Sequence, residues 1–466
     1  MKLLKPLQLL RLLGIAAAPL ALAACALPPP ARVPLASALR WQAPLPHNGK
    51  LTDLSSWWRQ QGDPQLAQLI DAAQAASPTI AAAGSRIAQS RAQRAAATGA
   101  LLPSLGAAGS VTRTNQQSTL PAGTTSQLAL QSAWEIDLFG GGRAARNAAQ
   151  ERLAGSTALW HDARVAVAAE VGKLYYSLRT CEQLLKVAQQ DAASRADTAR
   201  LTRLTADAGF QAPATAALAR ASAAEGNSRV TLQRALCDID IKTLVALSAV
   251  DEPALRARLT ASTPVMPGAI AIPALPAQLL TQRPDVFAAE REVAAASADV
   301  GSAQADRYPR LSLSGSIGAG AFRAGGQSVS TDTWTIGPLA VTLPIFDAGR
   351  RSATVEAARA RYDEAVINYR ATARRAVSEV EQALVILNSI TSRSSDAQVS
   401  LEGYRAAFVA AEDRYKNGLG SLLELEDARR TRLAAEDAVV TLQRERNGAW
   451  IALYRAAGGG WSPAAQ

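Results

Sequence analysis

The chain has 466 residues, 48% of them hydrophobic and 19% charged, with a mean hydropathy of +0.00. This balance excludes both a disordered chain and a polytopic helical membrane protein, and aromatics at 5% leave any core to Ala, Leu and Val. The net charge of +10 is dispersed among acids without a basic, aromatic-laced run, which argues against nucleic-acid binding, and 2 His with 3 Cys argue against a protein-built zinc site.

Residues 1–24 read as an export signal. Lys2, Lys5 and Arg11 form a basic n-region, and an apolar stretch through Leu12, Leu13, Ile15 and Leu20 follows. It closes on Leu22-Ala23-Ala24-Cys25, which resembles a bacterial lipobox. The resemblance implies a diacylglycerol and an N-acyl chain on Cys25, with no other cofactor. Ala26 in place of Asp is similar to the sorting rule of Gram-negative outer-membrane lipoproteins. No second apolar span exists: the longest uncharged window, 260–282, carries Pro264, Pro267, Pro273 and Pro276. Any crossing of a membrane therefore has to be made by a β-barrel.

The remainder repeats once. Leu102-Pro103-Ser104-Leu105 recurs as Tyr308-Pro309-Arg310-Leu311, and Phe139-Gly140-Gly141-Gly142-Arg143 recurs as Phe346-Asp347-Ala348-Gly349-Arg350. Ala208-Gly209 recurs as Asn417-Gly418 at a similar offset. The first repeat spans 63–250 and the second 283–457, with a Pro-rich connector at 251–282, an N-terminal segment at 25–62 and a tail at 458–466. Each repeat predicts a helix, two strands and a long helical hairpin. The first helix, about 63–99, is broken at Pro78.

Strands are predicted at 104–114, 124–138, 310–322 and 331–345. Leu105, Ala107, Gly109 and Val111 alternate with small or polar residues, as do Leu128 and Leu130, then Leu311, Leu313 and Ile317. Alternation alone also fits a soluble sandwich, but four strands are too few for one, whereas three chains supply twelve, enough for a barrel.

Neither 143–207 nor 349–417 contains a proline, so each predicts a helix of ~65 residues, roughly 95 Å long. Val167, Val171, Leu174, Leu178, Cys181 and Leu185 keep three–four spacing, as do Val377, Val380, Leu384 and Leu387. Gly209 and Gly418 mark the hairpin turns. Cys181 and Cys237 lie 28 positions before and 28 positions after Gly209. In an antiparallel hairpin they stand level, so a disulfide is expected there, the alternative being two small residues filling a seam.

Enzyme chemistry finds no footing. His161-Asp162 lies within a long helix, and Gly140-Gly141-Gly142 lacks the spacing of a nucleotide loop.

Trp57-Trp58, Asp63-Pro64-Gln65-Leu66, Glu135-Ile136-Asp137-Leu138-Phe139-Gly140, Arg283-Pro284-Asp285-Val286, Leu343-Pro344-Ile345-Phe346-Asp347-Ala348-Gly349-Arg350 and Gly458-Gly459-Gly460-Trp461 occur in that order. Together they resemble the TolC-like outer-membrane efflux factors, in the lipoprotein (NodT/OprM-type) branch. Ser77-Pro78 departs from that pattern, in which Asn is commoner. The resemblance implies a mixed, mostly α fold: a homotrimer with a twelve-stranded outer-membrane barrel, a periplasmic helical tunnel and an equatorial collar. It also implies a periplasmic adaptor protein and an inner-membrane transporter of the RND class as partners.

Glu424 and Asp427, three apart on one helix face just past Gly418, fall where that family carries two pore-lining acids at the periplasmic entrance. A threefold axis would make them two rings of carboxylates that attract cations. Thr215 and Leu218 hold the matching positions in the first repeat. The expected function is a passive outer-membrane conduit of a tripartite efflux pump, exporting small toxic compounds and not acting as an enzyme. A type I protein-secretion outlet and a non-conducting coiled-coil lipoprotein are the alternatives.

Overall fold

The computed structural model describes residues 41–43, 56–115, 122–261 and 279–462. The signal, Cys25, the Pro-rich stretch 262–278 and the last four residues lie outside the described residues. The chain is mostly α-helical, with one four-stranded antiparallel sheet and two successive copies of the same element order.

The elements follow local chemistry. After a single turn α1 (Trp57–Gln60), Asp63 caps α2 (Pro64–Ala76): its Oδ1 accepts the amides of Gln65 and Leu66 at 3.1 and 3.2 Å. Pro64 takes the first helical position, where no donor is needed. The Ser77-Pro78 pair repeats the device. Ser77 Oγ accepts the Ile80 amide at 3.3 Å, and α3 (Pro78–Gly99) begins at the proline.

The strands are β1 (Ser104–Thr114), β2 (Gly123–Ile136), β3 (Arg310–Ala324) and β4 (Gln327–Thr342), hydrogen-bonded in sequence order. Four of the expected boundaries are corrected by two residues or more. β2 stops at Ile136 instead of 138 because Asp137 leaves the sheet to cap the next helix: its carboxylate accepts the amides of Gly142 at 3.1 Å and Arg143 at 2.9 Å. β4 stops at Thr342 instead of 345, two residues short of Pro344, and Asp347 plays the same capping role, accepting from Gly349 at 3.1 Å and Arg351 at 3.2 Å. The second hairpin is tighter than expected, since β3 and β4 pair from Ala324 and Gln327 onward around Gly325-Gly326.

The long helices are α4 (Gly141–Asp207) and α8 (Arg350–Lys416), each of 67 residues, and the returning helices are α5 (Pro213–Ser248) and α9 (Leu422–Ala456). Both turns are built alike. Gly209 has φ +81° and Gly418 has φ +70°. At the first, Phe210 N donates to Thr205 O and Gly209 N to Ala206 O; at the second, Leu419 N donates to Arg414 O and Gly418 N to Tyr415 O. This pair of hydrogen bonds around a left-handed glycine ends a helix by satisfying its last carbonyls. The connector is corrected in part: α6 (Glu252–Ala261) is helical, because Pro253 sits in its first turn and no proline follows before 261. Its Leu255 and Leu259 are buried, and Arg179 Nη1 takes the Leu259 carbonyl at 3.0 Å. α7 (Pro284–Ala305) opens the second repeat.

Two compact units emerge. The first holds Gly84–Thr157 and Ala288–Ala371, and so contains the whole sheet. Directly paired residues share a sheet face. One face carries Ile136, Leu311 and Val341, then Trp134, Leu313 and Leu339, then Leu130, Ile317 and Trp334. The other carries Gln127, Gln131, Ser312, Ser316, Thr331 and Thr335.

The second unit holds Ala36–Ala83, Ala158–Phe287 and Thr372–Gln466. Its core joins the stripe Val171, Leu178, Cys181, Val380, Leu384 and Leu387 to Trp57, Trp58 and Tyr454. Tyr454 stacks on Trp57 at 4.9 Å and meets Trp58 edge-on at 5.0 Å. Gly172 is required beneath this cluster, since an added Cβ would lie 2.4 Å from the Trp58 ring. The buried Arg283 ties three segments together, donating to Asp285 at 2.7 Å, Glu379 at 2.8 Å and the Ala456 carbonyl at 3.0 Å. No described helix is long and apolar enough to cross a membrane.

Candidate functional site

The N-terminus of α9 carries the predicted pair. Ser421 and Glu424 form a reciprocal cap: Glu424 N donates to Ser421 Oγ at 3.2 Å, and Ser421 N donates to Glu424 Oε2 at 3.1 Å. The other Glu424 oxygen lies 3.7 Å from Arg414. Asp427 is paired with Arg430, and both acids are exposed in the single chain. In α5, Thr215 and Leu218 occupy the same helical positions counted from the first residue, so the two hairpins present different chemistry at equivalent places. Phe210 and Leu419, at the tips, are 84% and 72% exposed.

Between these two acids, Glu426 turns inward into a buried ionic network that sequence reasoning missed. Arg195 donates to Asp191 at 2.8 Å, to Ser222 at 2.6 Å and to Glu426 at 3.0 Å. Arg429 donates to Glu426 at 2.5 Å, to Thr198 at 3.0 Å and to Ser194 at 3.1 Å. Asp191 Oδ1 lies 4.0 Å from Arg429 and 3.7 Å from Arg432, whose guanidinium sits 4.1 Å over the Phe408 ring. Arg429 is 0% and Asp191 1% exposed. Burial pulls the Arg429 guanidinium below its ordinary value; Glu426 and Asp191 oppose this, and Arg195 and Arg432 reinforce it. Four helices, α4, α5, α8 and α9, thus meet around two carboxylates and three guanidiniums, with Thr202 and the Tyr415 hydroxyl adding a 2.6 Å bond. The sequence did carry a signal: Arg429 stands on the apolar stripe Leu422, Leu425, Leu433 of α9.

Farther along the α4–α5 hairpin, Cys181 and Cys237 are joined by a disulfide, with Cα atoms 5.5 Å apart. Among the described residues, His161 has no ion-pair partner. Burial, and then Arg164, pull its pKa below the ordinary value, and its ring neighbours are Trp160 at 4.9 Å and Trp461 at 6.4 Å. Asp162 is pushed above the usual carboxylate range by burial first and then by Asp285 and Glu379, against Arg455 and Arg283. Its charged form is therefore held at a cost that grows as pH rises from the ordinary carboxylate value through the raised folded one. Asp162→Asn is expected to raise thermal stability at pH 7, with the difference vanishing near pH 3, where both states are protonated (about one unit below the ordinary value). Melting curves at the two pH values check this, and an unchanged difference at both would contradict it.

The profile of the family described as "Outer membrane efflux protein" matches residues 69–249 and 275–459, one stretch for each repeat. The outer membrane protein OprJ of Pseudomonas aeruginosa is 30% identical over 460 residues, covering 95% of this chain and 94% of the relative. The pyoverdine export outer membrane protein OpmQ of Pseudomonas putida is 29% identical over 453 residues, covering 95% and 96%. The solved outer-membrane channel OprN superposes with a TM-score of 0.84 at 29% identity, covering 93% of this chain and 99% of that one. Repeated hairpins, a sheet with one apolar and one polar face, and a match along nearly the full length agree: this chain belongs to the outer membrane efflux protein family, whose members form outer-membrane efflux channels.

Proposed function

We propose that three copies of the chain close a twelve-stranded barrel in the outer membrane and serve as the passive outlet of a tripartite pump. A periplasmic adaptor and an inner-membrane transporter of the RND class supply recognition and energy. The observation that carries this reading is the register of the sheet: the paired rows of Ile136, Trp134 and Leu130 set apolar side chains on one face, with Leu105 and Ile336 flanking Ser132 between them, while mainly Gln, Ser and Thr line the other. With order β1-β2-β3-β4, the two edges of one chain are β1 and β4. Pairing β4 of one copy with β1 of the next leaves no edge unpaired in lipid. The exposed Phe210 and Leu419 at the hairpin tips suit docking of the adaptor. Acyl chains on Cys25 anchor the N-terminus, each buried methylene contributing about 0.8 kcal/mol. The cargo class is small toxic compounds, in keeping with relatives whose names state efflux or pyoverdine export.

In this reading Glu424 and Asp427 ring the periplasmic entrance. Purified protein in a planar bilayer is expected to conduct, to prefer cations and to be blocked by multivalent cations from the periplasmic side. Glu424→Ala combined with Asp427→Ala should abolish that block and lower the cation preference severalfold. Unchanged block and selectivity in the double variant would remove these residues from the entrance. Absence of any conductance from the wild-type protein would favour a non-conducting coiled-coil lipoprotein.

A further inference from the structure

The same register leaves one row of the apolar face unexplained. Arg113, Thr124, Arg323 and Ser328 are paired across the four strands, two residues beyond the row Val111, Ser126, Ala321 and Ser330. Because the side-chain period along a strand is two, both arginines lie on the face that carries Leu130, Ile317 and Trp334, and not on the Gln/Ser/Thr face. They stand at the hairpin ends of the strands, the ends farthest in sequence from the long helices. From the Ile136 row to the Leu128 row is eight residues along β2, roughly 27 Å, or about 20 Å of membrane depth at a barrel's tilt. The arginine row lies twelve residues from the Ile136 row, roughly 41 Å along the strand or about 31 Å in depth, which places it at the headgroup level above a hydrocarbon core of about 30 Å. An arginine at that level costs little, whereas at the midplane it is strongly disfavoured.

Two further features give the row a ligand chemistry. Among the described residues, neither arginine has an ion-pair partner: the nearest acid on that face, Asp332, is opposite Ala319, four residues down β3 from Arg323. Directly beneath the arginines, small residues open a shallow, mainly apolar groove of about 420 Å³, lined by Gly109, Val111, Ser126, Leu128, Ala319 and Ala321. The strands bearing Arg113 and Arg323 are separated by one strand, so their axes are about 10 Å apart. Two guanidiniums at that spacing, with Thr124 and Ser328 between and beside them, match a headgroup bearing two phosphates on a disaccharide, and the groove matches the acyl chains below it.

We infer that Arg113, Arg323 and the groove beneath them form a docking site for a diphosphorylated glycolipid of the outer leaflet, lipid A in chemical class, with one site on each protomer. The site holds the barrel at a fixed depth and rests on the barrel reading above. Guanidinium–phosphate pairs are bidentate and charge-assisted, which favours phosphate monoesters over the single diester of phosphatidylglycerol.

The test is native mass spectrometry of the purified full-length protein, titrated with diphosphoryl lipid A, monophosphoryl lipid A or phosphatidylglycerol. The wild type is expected to retain up to three diphosphoryl lipids per trimer, fewer of the monophosphoryl form and least of phosphatidylglycerol. Arg113→Gln with Arg323→Gln should weaken retention of the diphosphoryl lipid about tenfold or more, the loss expected when charge-assisted pairs are removed. Arg113→Lys with Arg323→Lys should recover part of it. Equal retention by wild type and the Gln variant, or equal retention of all three lipids, would overturn the site. So would loss of retention in Asp332→Asn equal to that in the arginine variant, which would assign the row to ion pairs between copies. Planar-bilayer conductance of the same preparations separates the two levels: a conducting trimer with unaltered lipid retention refutes only this site, and a protein that forms no conducting trimer refutes the barrel beneath it.

Discussion

Asp191→Ala is expected to loosen the ends of the helical hairpins by about 3–5 kcal/mol, the range for breaking a buried ion pair by removing one partner. The carboxylate is 1% exposed, faces Arg195 at 2.8 Å, and stands within 4.0 Å of Arg429 and Arg432. Its loss leaves three guanidiniums with Glu426 and, on Arg195, the more exposed Glu225 at 3.9 Å. Water cannot compensate, since Arg429 is wholly buried and Arg195 nearly so. Hydrogen exchange is the suitable measurement, because a trimeric membrane protein has no simple two-state unfolding free energy. Amide protection should fall around Asp191 in α4 and around Glu426 in α9, and stay constant in the sheet. The same variant should raise the open probability in a planar bilayer, because the network joins the first hairpin to the second. Unchanged protection in α9 would show that Glu426 and the remaining hydrogen bonds suffice. Asp191→Asn, which keeps a hydrogen-bonding group of the same shape, should cost less.

Cys181→Ala with Cys237→Ala is expected to destabilise the α4–α5 hairpin by roughly 4 kcal/mol on the chain-entropy account of a closed loop of this length, the two cysteines being 56 apart in sequence. Reduction of the bond in the wild type should have a smaller effect of the same sign, since both sulfurs stay in the core, and an oxidising periplasm keeps the bond formed. Titration of thiols in denatured, unreduced protein should find neither cysteine free. Two free thiols, or a double variant with unaltered hydrogen exchange between 181 and 237, would show that the pair merely fills the seam. Both sulfurs lie in the core of the second unit, with Val171, Leu178 and Ile241 in the same cluster, so some loss from lost packing is superimposed.

The alternating strands, the proline-free helices, the turns at Gly209 and Gly418 and the level pair Cys181 and Cys237 were legible in the sequence, because each is written in a local period or a single residue's backbone freedom. The signature motifs were legible too, though not their reasons. Asp137 and Asp347 each cap a long helix, and Arg283 bridges to Glu379 and the Ala456 carbonyl. Gly458 has no room for a side chain, since a Cβ there would lie 2.1 Å from the Gln282 carbonyl oxygen.

What the sequence determined by itself was the repeat, its element types, and the face of each strand and helix, since periods of two and of three to four are covalent properties of the chain. Tertiary structure alone decided which of three acids within four residues, Glu424, Glu426 and Asp427, goes inside. It also decided that Glu426 meets Arg195, 231 positions away, and that Arg113 and Arg323 share one row of the sheet. These choices depend on how separate helices and strands are set side by side, and no period within one segment records its neighbour.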